Sequence, residues 1–311
     1  MAPKRFVSVG ECMIEFSRET PSSWRMGYAG DTLNCAWYFH AAAASHGWQT
    51  AFLTRLGSDP FSDQISAFLQ ENGIGIEWVR RESERQPGLY LIDTDDGERS
   101  FTYWRNHSAA RLLADDEEYL REALLAVDAI FFSGITLAIL APDRRETLLG
   151  ALQDARRAGK TVIFDPNIRE KLWEERSAIT AAIMLAAAVS STVLPSLEDE
   201  QRLFGDPSLE ACAKRYADAG VEEVVIKNGG EDICVALQGA VQRIPLSKAV
   251  EVLDTTGAGD SFNGAYLAAR LSGVEIVEAV HRAHAVASRV IGCRGALMPM
   301  DKISGVNSPA E

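Results

Sequence analysis

Short apolar runs alternate with longer amphipathic stretches along nearly the whole chain, and no other feature narrows its possible folds as much. Residues 6–10 read as a strand. Asp31 is expected to cap an alanine-rich helix that runs towards His46 and ends at Gly47. Residues 50–56 then read as strand, 61–71 as helix, 129–133 as a buried strand, and 143–158 as an amphipathic helix closed by Gly159. Residues 161–165 form another buried strand. Beyond them 209–219 read as helix, 223–227 and 233–237 as strands, and 258–271 and 276–291 as two closing helices. Such alternation requires crossover connections, hence an α/β fold with a mostly parallel sheet covered by helices on both faces.

One stretch interrupts the pattern. Residues 88–94 and 99–104 read as two strands joined at Asp95-Asp96-Gly97-Glu98, a hairpin turn signal. With residues 11–30, too long a segment for a simple turn, this insert is either a plain β excursion or a flap. A flap would lie over the carboxyl ends of the main strands, where open α/β sheets bind ligands.

Length and charge remove several function classes. At 311 residues with 47% hydrophobic, the chain can bury one large domain or two smaller ones. A net charge of -13 repels nucleic acid and anionic lipid surfaces, so neither is an expected partner. An acidic protein that binds an anion must therefore gather a few arginines and backbone N–H groups at the site. The five cysteines are widely spaced and never form a C-x-x-C pair, which disfavours structural zinc and a disulfide framework. No apolar run reaches the length of a membrane span, and a reducing cytoplasm is the expected location.

The strongest chemical signal is Asp254-Thr255-Thr256-Gly257-Ala258-Gly259-Asp260, which runs straight into a helical pattern. Glycines at a helix start expose backbone N–H groups, and the helix dipole adds to their preference for an anion such as a phosphoryl group in transfer. A carboxylate at Asp260 beside them could accept the proton of an attacking hydroxyl. Taken alone, Asp260 also reads as an ordinary acidic residue of a first helical turn. Lys227-Asn228-Gly229-Gly230 follows an apolar strand, a position suited to nucleotide phosphates and equally to a hairpin turn. Asp165-Pro166-Asn167-Ile168-Arg169 ends another strand, and Tyr103-Trp104-Arg105 lies on the flap candidate. Gly10-Glu11 and Gly30-Asp31-Thr32-Leu33-Asn34 mark the first strand end and the next helix start, where short polar groups could hold sugar hydroxyls. There is no P-loop, no protein-kinase signature, no metal-spaced histidine pair and no hydrolase triad.

In this order the segments resemble the ribokinase-like, phosphofructokinase B type sugar kinases over essentially the whole chain. The stretch Asp254 to Asp260 resembles that family's C-terminal signature, and Gly30-Asp31-Thr32-Leu33-Asn34 its N-terminal one. Gly10-Glu11-Cys12-Met13-Ile14-Glu15, Pro87-Gly88-Leu89-Tyr90, Tyr103-Trp104-Arg105-Asn106 and Ser133-Gly134-Ile135-Thr136-Leu137-Ala138-Ile139-Leu140 are similar to the 2-keto-3-deoxygluconate kinases within it.

The resemblance implies a single ribokinase-like domain over 1–311, with a β lid from about 11–30 and 86–107. It implies Asp260 as base, with the Gly257, Ala258 and Gly259 amides as anion hole. Gly30, Asp31, Asn34, Tyr90, Tyr103, Arg105 and Arg169 would bind the sugar acid. Asn167, Ser196, Lys227, Gly229, Gly230, Gly257, Gly259 and His284 would face ATP with its Mg²⁺. Asp254 and Thr256 resemble a monovalent-cation loop, with potassium as the ion. Ser196-Leu197-Glu198-Asp199 departs from the family's Asn-x-x-Glu, and His284 stands where relatives often carry Asn. Paired lids would make a homodimer or a higher homo-oligomer. Two rivals remain: a same-fold kinase of a neutral sugar or nucleoside (fructose, ribose, adenosine), and a sugar-binding regulator without catalysis.

Overall fold

The computed structural model describes residues 3–20, 22–95, 98–247 and 252–304. Strands β1 (Lys4–Val9), β4 (Trp48–Leu56), β5 (Val79–Arg81) and β8 (Ala129–Ser133) share a nine-stranded sheet with β9 (Thr161–Asp165), β10 (Thr192–Val193), β11 (Glu223–Ile226), β12 (Ile233–Leu237) and β13 (Ala240–Ile244). Their order is β13-β12-β11-β10-β9-β8-β1-β4-β5. Pairing is parallel from β5 through β11, and β12 and β13 add an antiparallel edge. The helices are α1 (Asp31–Ala43), α2 (Pro60–Glu71), α3 (Glu117–Leu125), α4 (Gly134–Ile139), α5 (Pro142–Arg157) and α6 (Arg176–Val189), then α7 (Leu197–Phe204), α8 (Leu209–Asp218), α9 (Ala258–Leu271), α10 (Ile276–Val290) and α11 (Asp301–Ser304). The mostly parallel α/β expectation holds.

Strand period two divides the core into two layers. On β1, Val7 and Val9 join Leu148 and Leu152 of α5 in one cluster, while Phe6 points to the other face and stacks on Phe39 of α1 with ring centroids 3.8 Å apart. Helices α1, α9 and α10 cover that second face. Gly264 lets α1 and α9 approach closely: a Cβ there would stand 2.5 Å from the Cys35 carbonyl oxygen and 2.8 Å from the Phe39 nitrogen. Gly264→Ala should therefore force the helices apart and cost about 1–3 kcal/mol of stability, read as a lower denaturant midpoint at unchanged slope. An unchanged midpoint would show that the helix pair tolerates the methyl group.

A second sheet, β3-β2-β6-β7, is built from β2 (Met13–Thr20), β3 (Ser23–Ala29), β6 (Leu89–Asp95) and β7 (Glu98–Trp104). The expected hairpin is present as β6 and β7, in antiparallel register from Leu89↔Trp104 to Asp95↔Glu98. Its turn residues Asp96 and Gly97 lie outside the described residues. The long segment after Glu11 contributes β2 and β3, and β2 runs parallel to β6, so the insert as a whole is a mixed sheet.

The cap of α1 differs from expectation. Gly30 is the N-cap and Asp31 the first helical residue, with no side-chain capping bond. A Cβ at Gly30 would lie 2.2 Å from the Glu11 carbonyl oxygen, so only glycine fits where the first strand's end crosses the helix start. The Asp31 carboxylate is thereby freed for a tertiary role. Among the described residues no helix is long and apolar enough to cross a membrane.

Candidate active site

The carboxyl ends of the parallel strands and the N-termini of α1 and α9 meet at one edge of the main sheet. Because α1 and α9 pack side by side, Asn34 donates from Nδ2 to Asp260 Oδ2 at 2.8 Å, across 226 residues of sequence. Asn167, after β9, donates from Nδ2 to Asp31 Oδ2 at 2.9 Å and holds φ 32°, a left-handed conformation that asparagine tolerates better than most residues. Asp165 at the end of β9 accepts on Oδ2 from Lys227 Nζ at 3.2 Å and from Asn263 Nδ2 at 2.6 Å, and Lys227 also donates to Asn263 Oδ1 at 3.0 Å. Lys227 is thus fixed beside the start of α9, where a Cβ added to Gly259 would stand 3.9 Å from its ammonium.

Three carboxylates, Asp31, Asp165 and Asp260, crowd this edge. Burial pushes Asp260 up to about 7, and the neighbouring Asp31 and Asp165 add to the shift; the Asn34 hydrogen bond and Lys227 oppose it. Burial also raises Asp31, against the bonds it accepts from Ser133 and Asn167. A carboxylate poised near neutrality, hydrogen-bonded and beside a helix start, suits a general base.

The helix start itself differs in one detail from expectation. Gly257, at φ 75°, is the N-cap of α9 and packs against Ala296. The Ala258 N–H, expected in the anion hole, donates instead to the Thr255 carbonyl at 3.2 Å as part of the turn. Among the described residues the Gly259 and Asp260 N–H groups have no protein acceptor, so these donors remain for an anion. Asp254 stitches the loop in place, accepting from Thr256 N–H and Gly295 N–H, each at 2.8 Å.

Beside the helix start lies a cavity of about 500 Å³ lined by Ser196, Lys227, Asn228, Gly229, Gly230, Gly259, Phe262 and His284, with Ile233, Leu246, Ala287 and Ile291 giving it apolar walls. A polar, glycine-rich end and an apolar end suit phosphates and a flat base respectively. His284 Nε2 lies 2.6 Å from the Ser247 carbonyl oxygen. Two residues expected at the nucleotide do not line the cavity: Asn167 is held by Asp31, and Gly257 serves the turn.

The second sheet presents Tyr90 and Tyr103, stacked with centroids 5.6 Å apart, and Tyr90 donates to Glu15. Burial raises the Tyr103 hydroxyl, and the charges of Arg105 and Arg169 both oppose that shift. Their settings differ. Arg169 is half-exposed and lies 3.6 Å from Asp199, whereas Arg105 is buried and ion-paired with Glu11. Either arginine, taken singly, could have been a solvated surface residue; Arg105 is not.

The sequence matches the pfkB family carbohydrate kinase description over residues 3–303. The chain belongs to the pfkB family of carbohydrate kinases. The 2-dehydro-3-deoxygluconokinase of Dickeya dadantii is 39% identical over 307 residues, covering 97% of this chain and 99% of the relative. The structure of the Thermotoga maritima 2-dehydro-3-deoxygluconokinase superposes with a TM-score of 0.80 at 23% identity, over 97% of this chain and 99% of that one. The ATP-bound fructokinase of Xylella fastidiosa gives 0.83 at 21% identity, over 98% of each chain. At these identities the two structures speak for the fold alone, which is ribokinase-like.

Some members of this candidate site carry weaker signals in the sequence of this pfkB kinase. Asn263 lies three residues after Asp260 and shares its helix face, a spacing that could have flagged it. Asp165 lies at a strand's carboxyl end, where ligand-facing groups are expected, but its link to Lys227 depends on tertiary contact. Glu11 and Glu15 carried no signal of their partners.

Proposed function

We propose that this phosphotransferase moves the γ-phosphoryl group of ATP to the terminal hydroxyl of 2-keto-3-deoxy-D-gluconate, giving 2-keto-3-deoxy-6-phosphogluconate. The observation that carries the reading is Asp260, hydrogen-bonded to Asn34 and raised to about 7, at a helix start with unpartnered N–H groups beside Lys227. The substrate follows from the full-length likeness to 2-dehydro-3-deoxygluconokinases, the same compound under another name. Gly30, Asp31 and Asn34 hold sugar hydroxyls, and Tyr90, Tyr103, Arg105 and Arg169 hold the acid end.

Asp260 takes the hydroxyl proton as the oxygen attacks the γ-phosphorus in line, and ADP leaves. The Gly259 and Asp260 amides and Lys227 stabilise charge on the transferred group, which is most of what a protein contributes to phosphoryl transfer. ATP occupies the cavity between Ser196 and His284. Mg²⁺ supplies charge neutralisation at the phosphates, and Asp199, a carboxylate with oxygens of the hard type this ion prefers, would help hold it. A monovalent cation such as potassium would act at the Asp254 to Thr256 loop. The four-stranded sheet closes as a lid over the sugar and excludes water. Its exposed Met26, Phe101 and Trp104 fit a second copy's lid in a homodimer, and the enzyme works in the reducing cytoplasm.

A neutral sugar is the second reading, favoured by one observation: Glu11 already compensates the charge of Arg105. ATP consumption by the purified protein with Mg²⁺ decides, with 2-keto-3-deoxygluconate set against fructose, ribose and adenosine. Preference for the sugar acid is expected, and Arg169→Ala should raise its KM by about 10- to 100-fold, the worth of a charge-assisted hydrogen bond. Preference for a neutral sugar would overturn the substrate, and no turnover with any of them would favour a regulator.

A further inference from the structure

At the root of the lid, Glu11 and Arg105 form an ion pair that is almost wholly out of water, at 2% and 6% exposure. It is incomplete. Arg105 Nη2 reaches Glu11 Oε2, while Arg105 Nε and Glu11 Oε1 have no hydrogen-bond partner among the described residues. The backbone is shaped around the pair: a Cβ on Gly88 would lie 2.7 Å from Glu11 Oε1 and 3.2 Å from the Arg105 Cβ.

An uncompensated guanidinium does not stay buried, because its desolvation is costly, and it swings towards water when a route exists. Here the route is the outer groove beside Arg85, Pro87 and Trp104, which Arg105 also borders. We propose that Glu11 is a positioning and specificity-determining residue: it holds Arg105 inward at the acid end of the sugar site, with guanidinium donors left to engage the ligand. Because one bond satisfies only part of the guanidinium, Arg105 works as an aimed donor, and the half-exposed Arg169 supplies the less compensated charge. This division of labour rests on the sugar-acid reading above.

The test is a double-mutant cycle on the full chain, by steady-state kinetics, with Glu11→Gln, Arg105→Ala and both together. Glu11→Gln should raise KM for 2-keto-3-deoxygluconate about tenfold, with kcat and the KM for ATP changed less than about twofold. In the Arg105→Ala background it should add nothing. Gly88→Ala, which presses on Glu11 without altering any charge, should reproduce the KM rise and serves if Glu11→Gln folds poorly. Additive KM effects would overturn the proposal, as would losses that fall equally on kcat and ATP binding with a lowered Tm, the mark of a merely structural pair. Should the wild type prefer a neutral sugar, the acid reading fails separately, and the same cycle run with that sugar still decides whether Glu11 acts through Arg105.

Discussion

Asp260→Asn should lower kcat by about 10²- to 10⁴-fold, the usual contribution of a positioned base, while the Kd for ATP changes little. The amide keeps the shape of the carboxylate and can still meet Asn34, so the packing of α9 on α1 is preserved. What it cannot do is accept a proton. The anion donors at Gly259 and Asp260 are backbone groups and survive the exchange, which is why residual activity above the uncatalysed rate is also expected. Equilibrium ATP binding and single-turnover rates separate the two effects. Near-normal turnover in the variant would remove Asp260 from the mechanism.

The acid limb of the pH profile should carry the second large effect. With Asp260 raised to about 7, kcat/KM for the sugar should fall close to tenfold per pH unit below that value, about 100-fold from plateau to pH 5. ATP ionises in a similar range, so the position of the limb is not enough. Asp31→Asn removes a like charge and should move the midpoint down; Asn34→Ala removes a bond that stabilises the carboxylate and should move it up. Opposite shifts cannot come from the nucleotide, and a midpoint that ignores both substitutions would assign the limb elsewhere.

The same shift has a stability consequence with a definite sign. Between the ordinary carboxyl value of 3.8 and about 7 the folded state binds the proton that the unfolded chain releases. Asp260 therefore favours folding fully below about pH 4, and this contribution is lost as pH rises through 7. Asp260→Asn should accordingly raise Tm at pH 8 relative to wild type and have much less effect at pH 5. A carboxylate held near neutrality in this way is bought with stability.

How far the site was legible in sequence follows from what each signal depends on. Glycine spacing before a helix is local, so the Asp254 to Asp260 passage marked the start of α9 and the aspartate proposed as base without any knowledge of partners. Strand ends are also local, which placed Lys227, Asn167 and Arg169 at one edge of the sheet. Helix α6 and the two-residue β10 escaped the reading, the first because its alanine-rich pattern has weak periodicity, the second because two residues carry none. That the Ala258 N–H donates to Thr255 was not legible, because whether an N–H is spent in a turn depends on backbone angles that composition does not set.

The sequence by itself determined the α/β alternation, the insert that interrupts it, the family, and the aspartate proposed as base, since each rests on residues that are neighbours in the chain. Only the tertiary structure decided which charges are left free. Asp31 surrendered its expected cap to bond Asn167, Lys227 is tied to Asp165 and Asn263, and Arg105 is buried against Glu11. Those pairings join residues far apart in the chain, and their strength depends on the exclusion of water that packing creates. A carboxylate near pKa 7 is therefore a property of the folded cluster, although the aspartate itself is written in the sequence.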